Sequence, residues 1–148
     1  MNETIVTTLA VRQAIQRQTD ELIRAATRNV AYLRETGMEE NQIRNVVNLA
    51  AATLSSEEVT NFIRYQIGRN PRNWGDFGKA VIKDIETGAV KKALNEVMKV
   101  APSADTMQVR ADLISRYLAY LNRRFIYAKK TQDWGNLNPG SNEKGGAA

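Results

Sequence analysis

Arg116, Tyr120, Arg123, Tyr127 and Lys130 recur three and four positions apart, so on an α-helix they share one face. Cations interleaved with phenol rings suit one kind of chemistry. Guanidinium and ammonium groups reach phosphate oxygens, and tyrosine rings stack on bases. Leu113, Ile114, Tyr117, Leu121, Phe125 and Ala128 trace a second, apolar stripe through the same stretch. One helix over 110–130 would thus offer the core one face and a partner the other. The same pattern also describes a solvated basic face whose tyrosines fill the edge of the core.

Groups for catalysis are sparse. The chain has no His and no Cys, which removes the usual neutral-pH base, the commonest metal ligand and the thiolate nucleophile. An enzyme would rest on carboxylates, Lys or Ser. The nearest acid pairs, Glu39–Glu40 and Glu57–Glu58, are adjacent in sequence. Adjacent helical positions point about 100° apart, which suits capping better than shared proton transfer or a magnesium site. Gly68, Gly75, Gly78 and Gly88 form neither a phosphate loop nor a dinucleotide fingerprint, which needs a preceding strand. The expectation is a protein that is not an enzyme, with no cofactor and no metal.

Charge points to a partner. Lys and Arg number 21 against 16 Asp and Glu, a net charge of +5, and the pI is near 9.6. Nucleic acid or an acidic protein surface fits that balance. No apolar run approaches the ~18 residues of a membrane span, and the start lacks the basic and apolar regions of a signal peptide. These readings favour a cytoplasmic chain without a membrane partner. At 148 residues one domain is expected, large enough to bury a stable core.

The elements that would position the basic face are helical throughout. A first helix spans 4–35, with Val11, Ile15, Leu22, Ala26, Val30 and Leu33 inward and Gly37 as its stop. Arg17, Arg24 and Arg28 fall on another of its faces. A second covers 39–54, burying Ile43, Val46, Val47, Ala50 and Leu54, with Glu39 and Glu40 in its first turn. Ser55 opens a third helix, with Glu58 completing a capping box and Val59, Phe62, Ile63 and Ile67 buried.

Gly68 and Pro71 make 68–75 a basic loop carrying Arg69 and Arg72, with Trp74 as an apolar anchor. Asp76 caps a fourth helix built on Phe77, Val81 and Ile85. At Gly88 two readings stay open: Val90, Leu94, Val97 and Met98 form a fifth helix, or they continue the fourth as one bent helix; Pro102 ends the pattern either way. Ser103 or Asp105 caps the last helix. The fold class is all-α, a compact bundle of five or six helices over 1–132, followed by a flexible polar tail over 133–148.

Three stretches, in this order, resemble the small α-helical subunit of type III CRISPR–Cas effector complexes of the Csm type. Asn41-Gln42-Ile43-Arg44-Asn45-Val46-Val47-Asn48-Leu49 is similar to a family helix with an Arg after an aliphatic residue near its start. Phe62-Ile63-Arg64-Tyr65-Gln66-Ile67-Gly68-Arg69 is similar to one that ends in an aromatic and then Gly-Arg. The run from Arg116 to Tyr127 resembles the terminal helix, which opens on Arg-Tyr and closes in aromatics. The chain departs from the pattern at Asn41-Gln42, where Ser or Thr is common, and at Ala128-Lys129-Lys130, where glycines are common.

The resemblance implies a non-catalytic, RNA-binding role in antiviral defense. Such subunits stack in copies along guide RNA paired to target RNA. They touch the backbone subunits and, at one end, the large polymerase-like subunit. By matching position it implies Arg44, Arg64, Arg69, Arg116 and Arg123 as RNA contacts; Arg124 and Lys130 join them from the basic face itself. Guide pairing reads sequence in such complexes, so phosphate contacts suffice. Two rivals stand beside this reading. One is a helix-turn-helix DNA-binding regulator using the helices joined near Ser55, whose turn lacks the usual Gly. The other is a helical protein–protein adaptor.

Overall fold

The protein, seen in a computed structural model, is described over residues 2–135, with side chains from Thr8 onward. It is an all-α bundle, with no strand among the described residues. The helices are α1 (Asn2–Gln16), α2 (Thr19–Val30), α3 (Glu40–Ala52), α4 (Ser56–Arg69), α5 (Pro71–Glu86), α6 (Ala89–Val100) and α7 (Thr106–Thr131). A 3-10 turn, Ala31–Leu33, extends α2.

The bundle is built on α7. Its 26 residues span about 39 Å, and it packs against α2, α3 and α6. Leu113, Ile114, Tyr117, Leu121, Phe125 and Ala128, the apolar stripe read from spacing, are all buried. Each large side chain of that stripe contributes roughly 1.5–3 kcal/mol by leaving water, so one amphipathic helix organises the core. Asp105 caps its start, its carboxylate accepting from the N–H groups of Met107 at 3.0 Å and Gln108 at 3.3 Å.

The single helix expected over 4–35 is instead α1, α2 and the 3-10 turn, broken at Arg17 and Gln18. Counting α1 and α2 as one interrupted helix leaves six, within the expected five or six. The break has a packing reason. On either side of it α1 lies on α6, and α2 lies chiefly on α7. Gly37, at φ +82°, reverses the chain before α3, where Glu39 and Gln42 complete a capping box.

The loop expected over 68–75 is not there. Helix α4 runs through Gly68 to Arg69, and α5 begins at Pro71, so Asn70 alone joins them. Pro71 occupies the first helical position, where a missing N–H breaks no bond, and Asn70, not Asp76, caps the helix. Trp74 is the expected anchor and is fully buried. Helices α4 and α5 close tightly because Gly78 has no side chain: a Cβ there would lie 2.7 Å from Cγ1 of Ile67. Leu54, expected inside, is half exposed, because α3 ends at Ala52 before the apolar register reaches it.

Of the two readings at Gly88, a break or a bend, the structure has the break: α5 ends at Glu86 and α6 begins at Ala89. Of the expected tail, the described residues Asp133, Trp134 and Gly135 form a hook. Gln132 takes a left-handed conformation, φ 65°, and turns the chain back onto α7. There Trp134 packs on Phe125 with ring centres 6.1 Å apart. The remaining tail residues lie outside the described chain. No described helix is long and apolar enough to cross a membrane.

Candidate nucleic-acid interface

One end of the bundle gathers basic residues from four helices. The last turn of α7 is tied to the chain before α3 by Lys129, whose Nζ donates to the carbonyl of Met38 at 3.0 Å. The start of α5 is tied to the same place by Asn73, whose Nδ2 donates to Oε1 of Gln42 at 3.4 Å. Arg69 and Arg72, flanking the α4–α5 corner, therefore share an end with Lys129 and Lys130. Arg44 lies one turn into α3 from that end, and Arg123 and Arg124 lie about two turns back along α7.

Stacking shapes this surface. The guanidinium of Arg69 sits 5.7 Å from the Tyr65 ring centre, and that of Arg123 sits 5.9 Å from the Tyr120 ring. Each pair lies on one helix at a spacing of four or three, so the local fold alone brings cation and ring together. A guanidinium standing over a ring can still turn N–H groups outward to phosphate oxygens. Neither Arg69 nor Arg123 has a carboxylate partner among the described residues, and Lys130 is exposed without one.

The other candidates are engaged. Arg44 reaches Glu40 at 3.9 Å and Arg64 reaches Glu86 at 3.2 Å, both in exposed pairs. Such pairs are worth only ~0–1 kcal/mol, so a phosphate can replace the carboxylate. Arg64 also points toward the opposite end, where Glu57, Glu58 and Glu86 line a groove and make an acidic pole. Arg116 lies away from the basic end. Its Nε donates to Asp112 at 2.9 Å, and that bond holds the guanidinium proton more firmly than in an ordinary arginine. Arg116 lines a groove between α1 and the first half of α7.

Arg124 works on its own chain. It donates to the carbonyl of Asp133 at 2.8 Å, stands over the Tyr127 ring at 5.0 Å, and is only 19% exposed. Its role is to hold the hook. The structure thus brings Arg44, Arg69 and Lys130 to one end, leaves Arg123 and Arg124 about two turns back along α7, and places Arg64 by the acidic pole and Arg116 on the groove against α1.

A buried polar junction also lies behind α7. Asn29 Nδ2 donates to Asp84 Oδ2 at 2.6 Å and to the Tyr117 hydroxyl at 2.8 Å, and that hydroxyl donates to Asp84 Oδ2 at 2.8 Å. Burial pushes the Tyr117 phenol well above its ordinary pKa of 10, and the Asp84 charge pushes it further. Spacing placed Tyr117 in the core, where it is, but gave no partner for its hydroxyl. A usable signal was present: Asn29 interrupts the apolar stripe of α2, and a polar residue on such a stripe needs a buried partner.

Among the described residues no cluster of three or more acidic groups could hold a metal ion. No protein-family model, curated protein or solved structure matches the chain.

Proposed function

We propose that this protein is a non-catalytic, RNA-binding small subunit of a type III CRISPR effector complex, contacting the phosphates of guide RNA paired to target RNA. The observation that carries the RNA-binding part is the basic end. There Arg69 stands over the Tyr65 ring among Arg72, Lys129 and Lys130, and about two turns back along α7 Arg123 stands over the Tyr120 ring. Planar cations already ordered on helix faces lose little entropy on meeting phosphate, and they read charge and shape, not sequence. The CRISPR assignment rests on the three sequence stretches, whose helices α3, α4 and α7 all send a basic residue to that end. Backbone subunits, the large polymerase-like subunit and further copies of the chain are the proposed protein partners.

The helix-turn-helix reading is disfavoured by charge. Such a motif would use the start of α4 to meet base edges, and that start carries Glu57 and Glu58 with Glu86 alongside. Carboxylates there repel a phosphate backbone.

Anisotropy of the full chain with a ~20-base-pair RNA duplex, between about 50 and 200 mM salt, tests the contact. The logarithm of the binding constant is expected to fall linearly with the logarithm of salt. Arg69→Glu with Arg123→Glu should flatten that slope by about 2, one unit for each phosphate lost. A slope near zero, or one the variant leaves alone, sinks the phosphate mechanism. Capture from the native host tests the assembly: repeat-derived RNA with larger CRISPR subunits supports it, and genomic DNA overturns it.

A further inference from the structure

A second basic surface lies apart from the proposed duplex-binding end. A groove of about 510 Å³ runs between α2, α5 and α6, lined by Arg28, Asn29, Tyr32, Lys83, Asp84 and Lys92 among others. Its wall also contains Glu21 and Glu96, but each carboxylate is met by a cation outside the groove, Arg24 and Lys99. Arg28, Lys83 and Lys92 have no carboxylate within ion-pair reach among the described residues. The groove is therefore a place where cations exceed the anions free to answer them, and an anionic ligand would restore the balance.

The floor supplies a different chemistry. Asp84 Oδ2 is committed to Asn29 and Tyr117, which hold the carboxylate in one orientation. Its other oxygen, Oδ1, lies by Gly88, where a Cβ would come within 2.7 Å of it. Glycine at that position puts no Cβ against Oδ1, and Asp84, Gly88 and Ala89 all line the groove. A carboxylate oxygen only accepts, so it selects a hydroxyl or amine donor. Tyr32, partly exposed, offers a ring at the rim.

Cations that donate to phosphate, a carboxylate oxygen that accepts from a hydroxyl, and an aromatic plane within one groove describe one ligand class. We infer that the α2–α5–α6 groove binds a ribonucleoside phosphate, its phosphate among Arg28, Lys83 and Lys92 and a ribose hydroxyl on Asp84 Oδ1. This inference does not rest on the duplex-binding end, which shares none of its residues. The ligand chemistry could come from a free nucleotide or from one residue of an RNA strand.

Amide NMR of the full chain separates the outcomes, with adenosine 5′-monophosphate, inorganic phosphate, oligouridylate and oligodeoxyuridylate as probes. The signals to follow are the Gly88 backbone amide and the Asn29 side-chain amide. Movement with the monophosphate supports a free nucleotide. Movement with oligouridylate alone supports a strand, with about tenfold preference over the deoxy form for one hydroxyl bond. In either case Lys83→Ala with Lys92→Ala, both exposed lysines, should abolish the shifts while leaving the fold intact. Equal response to oligodeoxyuridylate, a response to inorganic phosphate alone, or still signals with every probe would overturn the inference. RNA affinity that depends on Arg69 and Arg123 while these signals stay still would overturn the groove and leave the proposed function standing.

Discussion

Tyr117→Phe removes one oxygen from the centre of the molecule, and its effect can be worked out from the junction it leaves. The hydroxyl donates to a carboxylate and accepts from an amide, both at 2.8 Å, in a side chain with 0% exposure. A hydrogen bond to a charged group is worth about 1.5–3 kcal/mol. Asn29 and Asp84 keep their own bond, and Asp84 borders a groove from which water can replace the lost donor. The expected loss is therefore near the low end, about 2 kcal/mol, or roughly 4–8 °C in Tm. The substitution should also change the alkaline limb of stability. Below about pH 10 native and unfolded chains both hold the phenol proton; above it the unfolded chain releases it and the native chain, with its raised pKa, does not. The wild type therefore loses up to ~1.4 kcal/mol per pH unit from this group above pH ~10, and the Phe variant loses none of it. Urea unfolding at several pH values should show the gap between the two proteins narrowing as pH rises through 10. A gap that stays constant, or a variant as stable as wild type at neutral pH, would refute the junction.

Gly78→Ala should destabilise by about 1–3 kcal/mol in thermal unfolding, because Ile67 and Ile63 must move for the new methyl. Asp105→Ala should lower stability by ~1 kcal/mol through loss of the α7 cap, and Asp105→Asn should recover most of it. Arg123→Ala should weaken RNA binding more than Arg124→Ala, since Arg124 is bound to the hook; equal losses in anisotropy titrations would contradict that placement. Conversely, Arg124→Ala should be the one that raises Trp134 fluorescence quenching by acrylamide, as the hook loosens from Phe125.

What could be read from the chain divides along physical lines. The α7 stripe was legible because burial of Leu113, Leu121 and Phe125 is written in residue type and spacing on one helix. The interleaving of Arg123 with Tyr120 was legible for the same reason, but the pairing of Arg69 with Tyr65 was not, because Arg69 falls in an expected loop that the structure replaces with the end of α4. The α4–α5 corner was not. Gly68 and Pro71 act as breakers in isolation, but Gly68 lies where no atom comes within 4 Å of a Cβ, and Pro71 occupies the one helical position that suits it. The groove was illegible because its residues come from α2, α5 and α6. The junction at its floor joins positions 33, 55 and 88 apart, and such pairings depend on tertiary packing that no local pattern encodes. The same limit explains why Arg116 and Arg64, on basic faces by spacing, end up away from the basic end.

The placement of α7 has a consequence for biosynthesis. The helix that completes the core is the last of the described helices to be made. Until synthesis passes residue 128, the apolar faces of α2, α3 and α6 lack α7, against which α2 and α3 pack most extensively. Earlier helices can form as they emerge, but they cannot bury what they expose, so the nascent chain is at its stickiest just before it is able to fold. Ribosome-bound intermediates ending before α7 should recruit chaperones, and those ending after it should release them.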